Sequence, residues 1–259
     1  MSQIRAPAVA GYFYPAEKQA LHSWLCTHLD PLPFSHVSPQ ALLLPHAGYP
    51  YSGALAAQGV ATLARQGITR VVILAPAHRV PLRGVALPDR ECQGFQTPLG
   101  VVPLAMEALT ALARHEGFIW SEEAHRQEHA IEVLLPLLQH RLVQFALVPL
   151  VVGDCDAAWL AAHLASLLDE STLLISSSDL SHFMTQAQAR ALDDKTLAQV
   201  LSLMPGVGPR QACGCFGLNA LLLLAKARGW RAMLLGQRDS GQVTGESERV
   251  VGYGCVGFY

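Results

Sequence analysis

The chain has little charge and no large excess of either sign. Of its 259 residues 15% are Asp, Glu, Lys or Arg, and the formal net charge is −2. That balance offers no general attraction for phosphate backbones or anionic lipid, so neither nucleic acid nor a membrane surface is an expected partner. No run approaches the roughly 20 apolar residues of a membrane span, and MSQIRAPAVAGYFYPAEKQ lacks the unbroken apolar stretch of a secretory signal; a cytoplasmic protein is expected. Cysteine is sparse. Residues 26, 92, 155, 213, 215 and 255 are scattered too thinly for a disulfide framework, which predicts reduced thiols. Gly48 and Gly53 do not form a GxGxxG turn, and a Walker sequence and a GxSxG elbow are missing, so nucleotide binding and a serine hydrolase lack support.

What is present is apolar material in short runs. At 51% hydrophobic residues the chain can bury a substantial core, and without repeats, low-complexity tracts or linker composition a single domain over 1–259 is expected. Aliphatic runs at 41–45, 71–76, 145–152, 172–177, 232–235 and 249–258 read as strands. Several are continuously apolar, which predicts a partly parallel sheet buried on both faces. Segments of helical period at 17–29, 53–66, 104–115, 128–140, 156–168, 187–201 and 216–227 alternate with them. The last should stop at Gly229 behind a basic turn. Pro88, Gly94, Pro98, Gly100 and Pro103 mark a hairpin or excursion over 82–103. The pattern predicts an α/β domain, a three-layer α/β/α sandwich around a central mixed sheet.

In such sheets ligands gather beyond the carboxyl ends of the strands. His46 follows the first strand, His78 the second, and Ser178, Asp179 and His182 the fourth, while Cys213 stands just before a helix. A single histidine past a strand is ordinarily a loop or capping residue, but three past three of the strands argue for a shared site. Asp179 and His182, three residues apart, suit a proton-exchanging imidazole with a carboxylate that fixes its tautomer; an N-cap at Ser178 or Asp179 is compatible with that.

The segments carrying these residues, PHAGYPYSG, ILAPAHRVPL, EHAIEVLLP, SSDLSHF, ACGCFG and SERVVGYG, occur in the order found in the Memo family, and the match begins at AVAGYFYP, residues 8–15. The chain is identified by this resemblance as a member of that family, which includes the bacterial AmmeMemoRadiSam system B proteins. The resemblance implies a fold like that of class III extradiol dioxygenases, non-haem iron enzymes that open catechol rings. It further implies a mononuclear metal held by His46, His78 and Cys213, with His182 where the dioxygenases keep an acid/base histidine. It implies a metal-dependent oxygen-utilising or redox enzyme of unidentified small-molecule or protein substrate, or alternatively a non-catalytic metal-binding or peptide-binding adaptor. AMMECR-type and radical SAM proteins are the implied partners. Two departures bear on the substrate: Arg79 stands where many members have a second histidine after the strand, with Ala77 in place of a serine, and Cys215 stands where others continue towards a further histidine.

Two neutral imidazoles and an anion on one side of a metal leave the opposite positions open, the arrangement that admits substrate and O₂ to non-haem Fe(II). Thiolate in place of carboxylate is softer, so Cu and Zn join Fe(II) among the candidates, and the ligand is itself oxidisable. His129 and Glu132 fall one turn apart on the expected 128–140 helix and are assigned to pocket lining or ligand support, with a solvated helix face as the alternative; with Glu128 they spell EHxxE, not the HExxH of a zinc protease. Tyr49 is expected at the pocket entrance, or in packing.

Overall fold

The computed structural model describes residues 3–32 and 38–259; His36, given no role above, lies outside them. The strands in chain order are β1 (Gln3–Arg5), β2 (Ala41–Leu44), β3 (Arg70–Pro76), β4 (Val85–Leu87), β5 (Cys92–Thr97), β6 (Gly100–Pro103), β7 (Phe118–Trp120), β8 (Ala146–Val152), β9 (Thr172–Ser177), β10 (His182–Met184), β11 (Ala232–Asp239) and β12 (Val250–Phe258). The helices are α1 (Lys18–His28), α2 (Ala54–Ala61), α3 (Met106–Leu112), α4 (Glu122–Arg126), α5 (Leu135–Arg141), α6 (Ala157–Ala165), α7 (Gln186–Leu201), α8 (Cys215–Ala227) and α9 (Gly241–Thr244).

The continuously aliphatic strands lie side by side. The main sheet runs β10-β12-β2-β9-β3-β8-β4-β7, with β11 also paired to β12. Its centre, β2-β9-β3-β8, is parallel, whereas β12 joins β2 and β4 joins β8 antiparallel. The sheet is therefore mixed. Every residue of β2 and β9 is buried, as strands covered on both faces require. The excursion after β3 supplies β4 and the β5–β6 hairpin, on which β1 forms a separate three-stranded sheet.

Register identifies the two covering layers. Leu42 is level with Ile175 and Ile175 with Ile73, so these side chains share one face, and Leu74 belongs to the other. A Cβ on Gly59 of α2 would lie within 4 Å of Leu42 and Leu44, while one on Gly217 of α8 would lie 2.9 Å from Leu74. The two helices thus cover opposite faces. Helix α5 packs on α2, and α6 on α8, to complete the layers. One contiguous apolar cluster runs through all three, the core of the expected α/β/α sandwich. Among the described residues no helix is long and apolar enough to cross a membrane.

The expected 128–140 helix is a correction. Residues 128–131 are not helical, a short 3₁₀ turn covers Glu132–Leu134, and the α-helix begins only at Leu135. Pro136 is the cause: without an N–H, and with its ring opposed to the carbonyl four residues back, it is tolerated in the first turn of α5 but not in the middle of a longer helix. The expected 53–66 helix is likewise shorter, preceded by a π-helical turn at Tyr49–Gly53.

Candidate metal centre

Strands β2, β9 and β3 are adjacent and parallel, so their carboxyl ends form one lip. His46 follows β2 by two residues, His78 follows β3 by two, and Ser178 and Asp179 directly follow β9. The fourth contribution comes from the segment that leads into α8. Gly214 precedes α8, and a Cβ there would sit 2.7 Å from Ser177 O and 2.8 Å from Ser178 Cβ, so the glycine lets the chain cross the end of β9 at close range. Cys213 is set down beside His46 by that crossing, Sγ to Nε2 at 3.5 Å. Ligating atoms of His46, His78 and Cys213 all lie within 4.8 Å of one another.

Hydrogen bonds decide which ring nitrogens are free. Ser177 Oγ donates its single proton to Ala130 O at 2.7 Å, so towards His46 Nδ1, 2.8 Å away, it can only accept. The proton of His46 is therefore on Nδ1 and the lone pair on Nε2. His78 Nδ1 donates to Glu128 Oε1 at 2.9 Å, so in the neutral ring the lone pair is on Nε2 as well. Glu128 also accepts from the backbone N–H groups of His78, His129 and Ala130. Burial opposes its ionisation, but His78 and these donors prevail and hold the carboxyl down at about 2. Its oxygens are committed to those donors, so Glu128 orients a ligand rather than serving as one.

Electrostatics favour ligands over acids or nucleophiles. Burial, then the neighbouring His78, lowers His46 to about 3, and burial followed by His46 lowers His129 to about 4; both rings are neutral at ordinary pH. Cys213 is pushed up to about 12, by burial first and by the Asp179 carboxylate second. A thiol so protonated is no nucleophile, and it is a bound cation that would remove its proton. The Asp179 N–H points at the sulfur from 3.3 Å, the donor a buried thiolate needs.

Asp179 belongs to the same cluster. Its Oδ1 accepts from the His46 N–H at 2.9 Å and its Oδ2 lies 4.0 Å from His46 Nε2; burial raises its pKa. His182 heads β10, donates Nδ1–H to Leu180 O at 2.8 Å, and lies near both His46 and Asp179. Phe183 beside it holds φ at 59°, a conformation found at ligand clamps, with its exposed ring under the Arg249 guanidinium. The His129 ring stacks on His78 at 4.8 Å between centroids and packs against Phe13, so it lines the cluster.

Two expected pocket residues point elsewhere. Glu132 is fully buried, and its carboxylate accepts from Arg5 Nη1, the Ala8 and Val9 N–H groups and the Tyr14 hydroxyl, which anchors the N-terminal segment. Tyr49 donates to Val133 O and packs against Tyr14 and Trp24. A helical period and a motif do not fix side-chain direction, and for Tyr49 the packing alternative is the one found. Conversely, nothing in the sequence singles out Glu128 or Ser177 as ligand supports. A regular helix would turn residue 128 about 100° away from 129; the actual turn lets Glu128 reach His78. All six cysteines are free thiols.

A family model described as Memo-like protein matches residues 5–256. The chain belongs to the Memo family. Among its relatives, a MEMO1 family protein of Thermoplasma acidophilum is 34% identical over 97% of each chain, and one of Methanopyrus kandleri is 35% identical over 98% of each. A crystal structure of an uncharacterized protein from Escherichia coli K12 superposes with a TM-score of 0.53 at 16% identity, covering 83% of this chain and 99% of that one, which supports the fold alone. Four segments of the matched region build the lip: PHAG carries His46, the end of β3 His78, SSD the Ser177–Asp179 corner, and ACG the Cys213 crossing.

Proposed function

We propose that this Memo protein binds one redox-capable metal, iron or copper, at His46, His78 and Cys213 and uses it in an oxygen-utilising or redox reaction. The observation that carries this reading is the tautomer pattern: hydrogen bonds to Ser177 and Glu128 leave His46 Nε2 and His78 Nε2 with lone pairs, in one cluster with Cys213 Sγ. A cation bound there supplies a one-electron couple and a site for O₂ or substrate. The protein's own groups do the rest. Glu128 and Ser177 keep the imidazoles in the ligating tautomer, Asp179 N–H supports the sulfur, and His182, its Nδ1–H held by Leu180 O, offers Nε2 to accept or return a proton. The His78 side chain is 28% exposed, so substrate reaches the cluster from that side. The cytoplasmic location and the AMMECR-type and radical SAM partners belong to the same proposal.

The test is oxygen consumption by protein reconstituted anaerobically with Fe(II) or Cu(I). His182→Ala is expected to keep the metal and lose the consumption. Consumption no faster than that of free metal, or unchanged in His182→Ala, would instead support a binding protein on the same scaffold.

A further inference from the structure

A second group of metal-type donors lies on other elements, between α1 and α5. His22 and Cys26 are four residues apart on α1 and so share a face one turn apart. His140 projects from the last turn of α5, and its ring meets His22 edge-on with centroids 5.7 Å apart. Cys26 Sγ is 3.6 Å from His22 Nδ1, and donor atoms of all three residues fall within 4.8 Å of one another. Asp30, just past the end of α1, accepts from His140 Nε2 at 2.7 Å, which fixes the imidazole tautomer and leaves the lone pair on Nδ1. That is the carboxylate–histidine pair found behind many metal ligands.

We propose that His22, Cys26 and His140 form a second metal site, of the zinc class, with Asp30 as the carboxylate that orients His140. Two imidazoles and a thiolate are borderline donors that suit a tetrahedral Zn(II) at about 2.0–2.3 Å, with the fourth position taken by water. Shared tetrahedral coordination separates donors by somewhat under 4 Å, and small rotations of partly exposed side chains close the present spacing to that value. Charge also fits, since the Cys26 thiolate and the Asp30 carboxylate together neutralise a dication. Without metal, local desolvation and Asp30 hold the Cys26 thiol above its usual pKa; binding expels that proton to solvent. The site shares no residue with the lip cluster, and its metal would tie α1 to α5, the helix that follows the His129 turn.

The experiment is a Co(II) titration of full-length His46→Ala/Cys213→Ser protein, followed by Zn(II) competition. One equivalent is expected, with a near-ultraviolet thiolate-to-cobalt band and the visible bands of four-coordinate cobalt, both removed by Zn(II). Adding Cys26→Ser should abolish the thiolate band, His140→Ala should lose the equivalent, and Asp30→Asn should weaken binding by about tenfold or more. The two ligand substitutions sit on different helices, so misfolding of one leaves the other to decide. Absence of a thiolate band in the double variant, or its persistence with Cys26→Ser, overturns the proposal. Metal lost by wild type on introducing His46→Ala/Cys213→Ser reports the lip site separately, so the two readings fail independently.

Discussion

Glu128 Oε1 stands 2.9 Å from His78 Nδ1, and the same carboxylate caps the His78 backbone N–H through Oε2. One side chain thus sets both the tautomer of the ring and the position of its backbone. Glu128→Gln keeps the shape but replaces the acceptor charge, leaving the imidazole a weaker ligand. Metal affinity is expected to fall by about 10–100-fold with little change in the circular dichroism spectrum. Competition against a chelator of known affinity measures it; undiminished affinity would mean that Glu128 does not support a ligand.

The thiol at 213 makes a different prediction. As a free group it is held up at about 12 by burial and Asp179, so iodoacetamide at neutral pH should spare it in the metal-free protein while reaching the more open thiol of Cys26. Cys213→Ser should abolish binding at the lip site and the thiolate charge-transfer band that Co(II) gives there. Mass-mapped alkylation showing Cys213 among the fastest to react would contradict both the burial and the ligand assignment.

The central strands are legible because complete burial leaves a simple signature, unbroken aliphatic runs such as VVILAP and LVPLVV. Strand order was not, since the insertion of β9 between β2 and β3 depends on packing across 130 residues of chain. The histidines were legible for the same reason as the strands: a polar residue directly beyond a buried run stands out. Supporting groups were hidden. Ser177 is the last residue of β9 and looks like strand, and Glu128 was obscured by reading a helix through Pro136. Short strands at the edges, β1, β7 and β10, gave no period long enough to detect.

Glu132 now has a structural role that can be separated from the metal. Its side chain is fully buried and pairs with an Arg5 guanidinium that is itself 8% exposed, so removing it strands a cation and three further donors. Glu132→Ala is expected to destabilise the fold by about 3–5 kcal/mol, the usual result of breaking a buried ion pair from one side. Urea unfolding gives the loss. Metal stoichiometry at folding-permissive temperature should be unchanged, and a selective loss of metal in a fully stable variant would return Glu132 to the site.

Acid should weaken the metal-free protein through its buried imidazoles, and His125 is the clearest case because it lies outside the cluster. It donates Nε2–H to Ala86 O at 2.9 Å, and burial lowers its pKa to about 4 from 6.5. The unfolded chain therefore takes up a proton at 125 at higher pH than the folded one does. Stability from this group is fully present above about pH 6.5, declines as pH falls towards 4, and changes no further below that. The full shift corresponds to about 3 kcal/mol. His125→Gln retains an amide donor for Ala86 O without a titrating ring, so its urea midpoint should fall less steeply than wild type between pH 7 and pH 4.5. Equal slopes in the two proteins would assign the acid sensitivity to other groups, with His46 and His129 the next to replace.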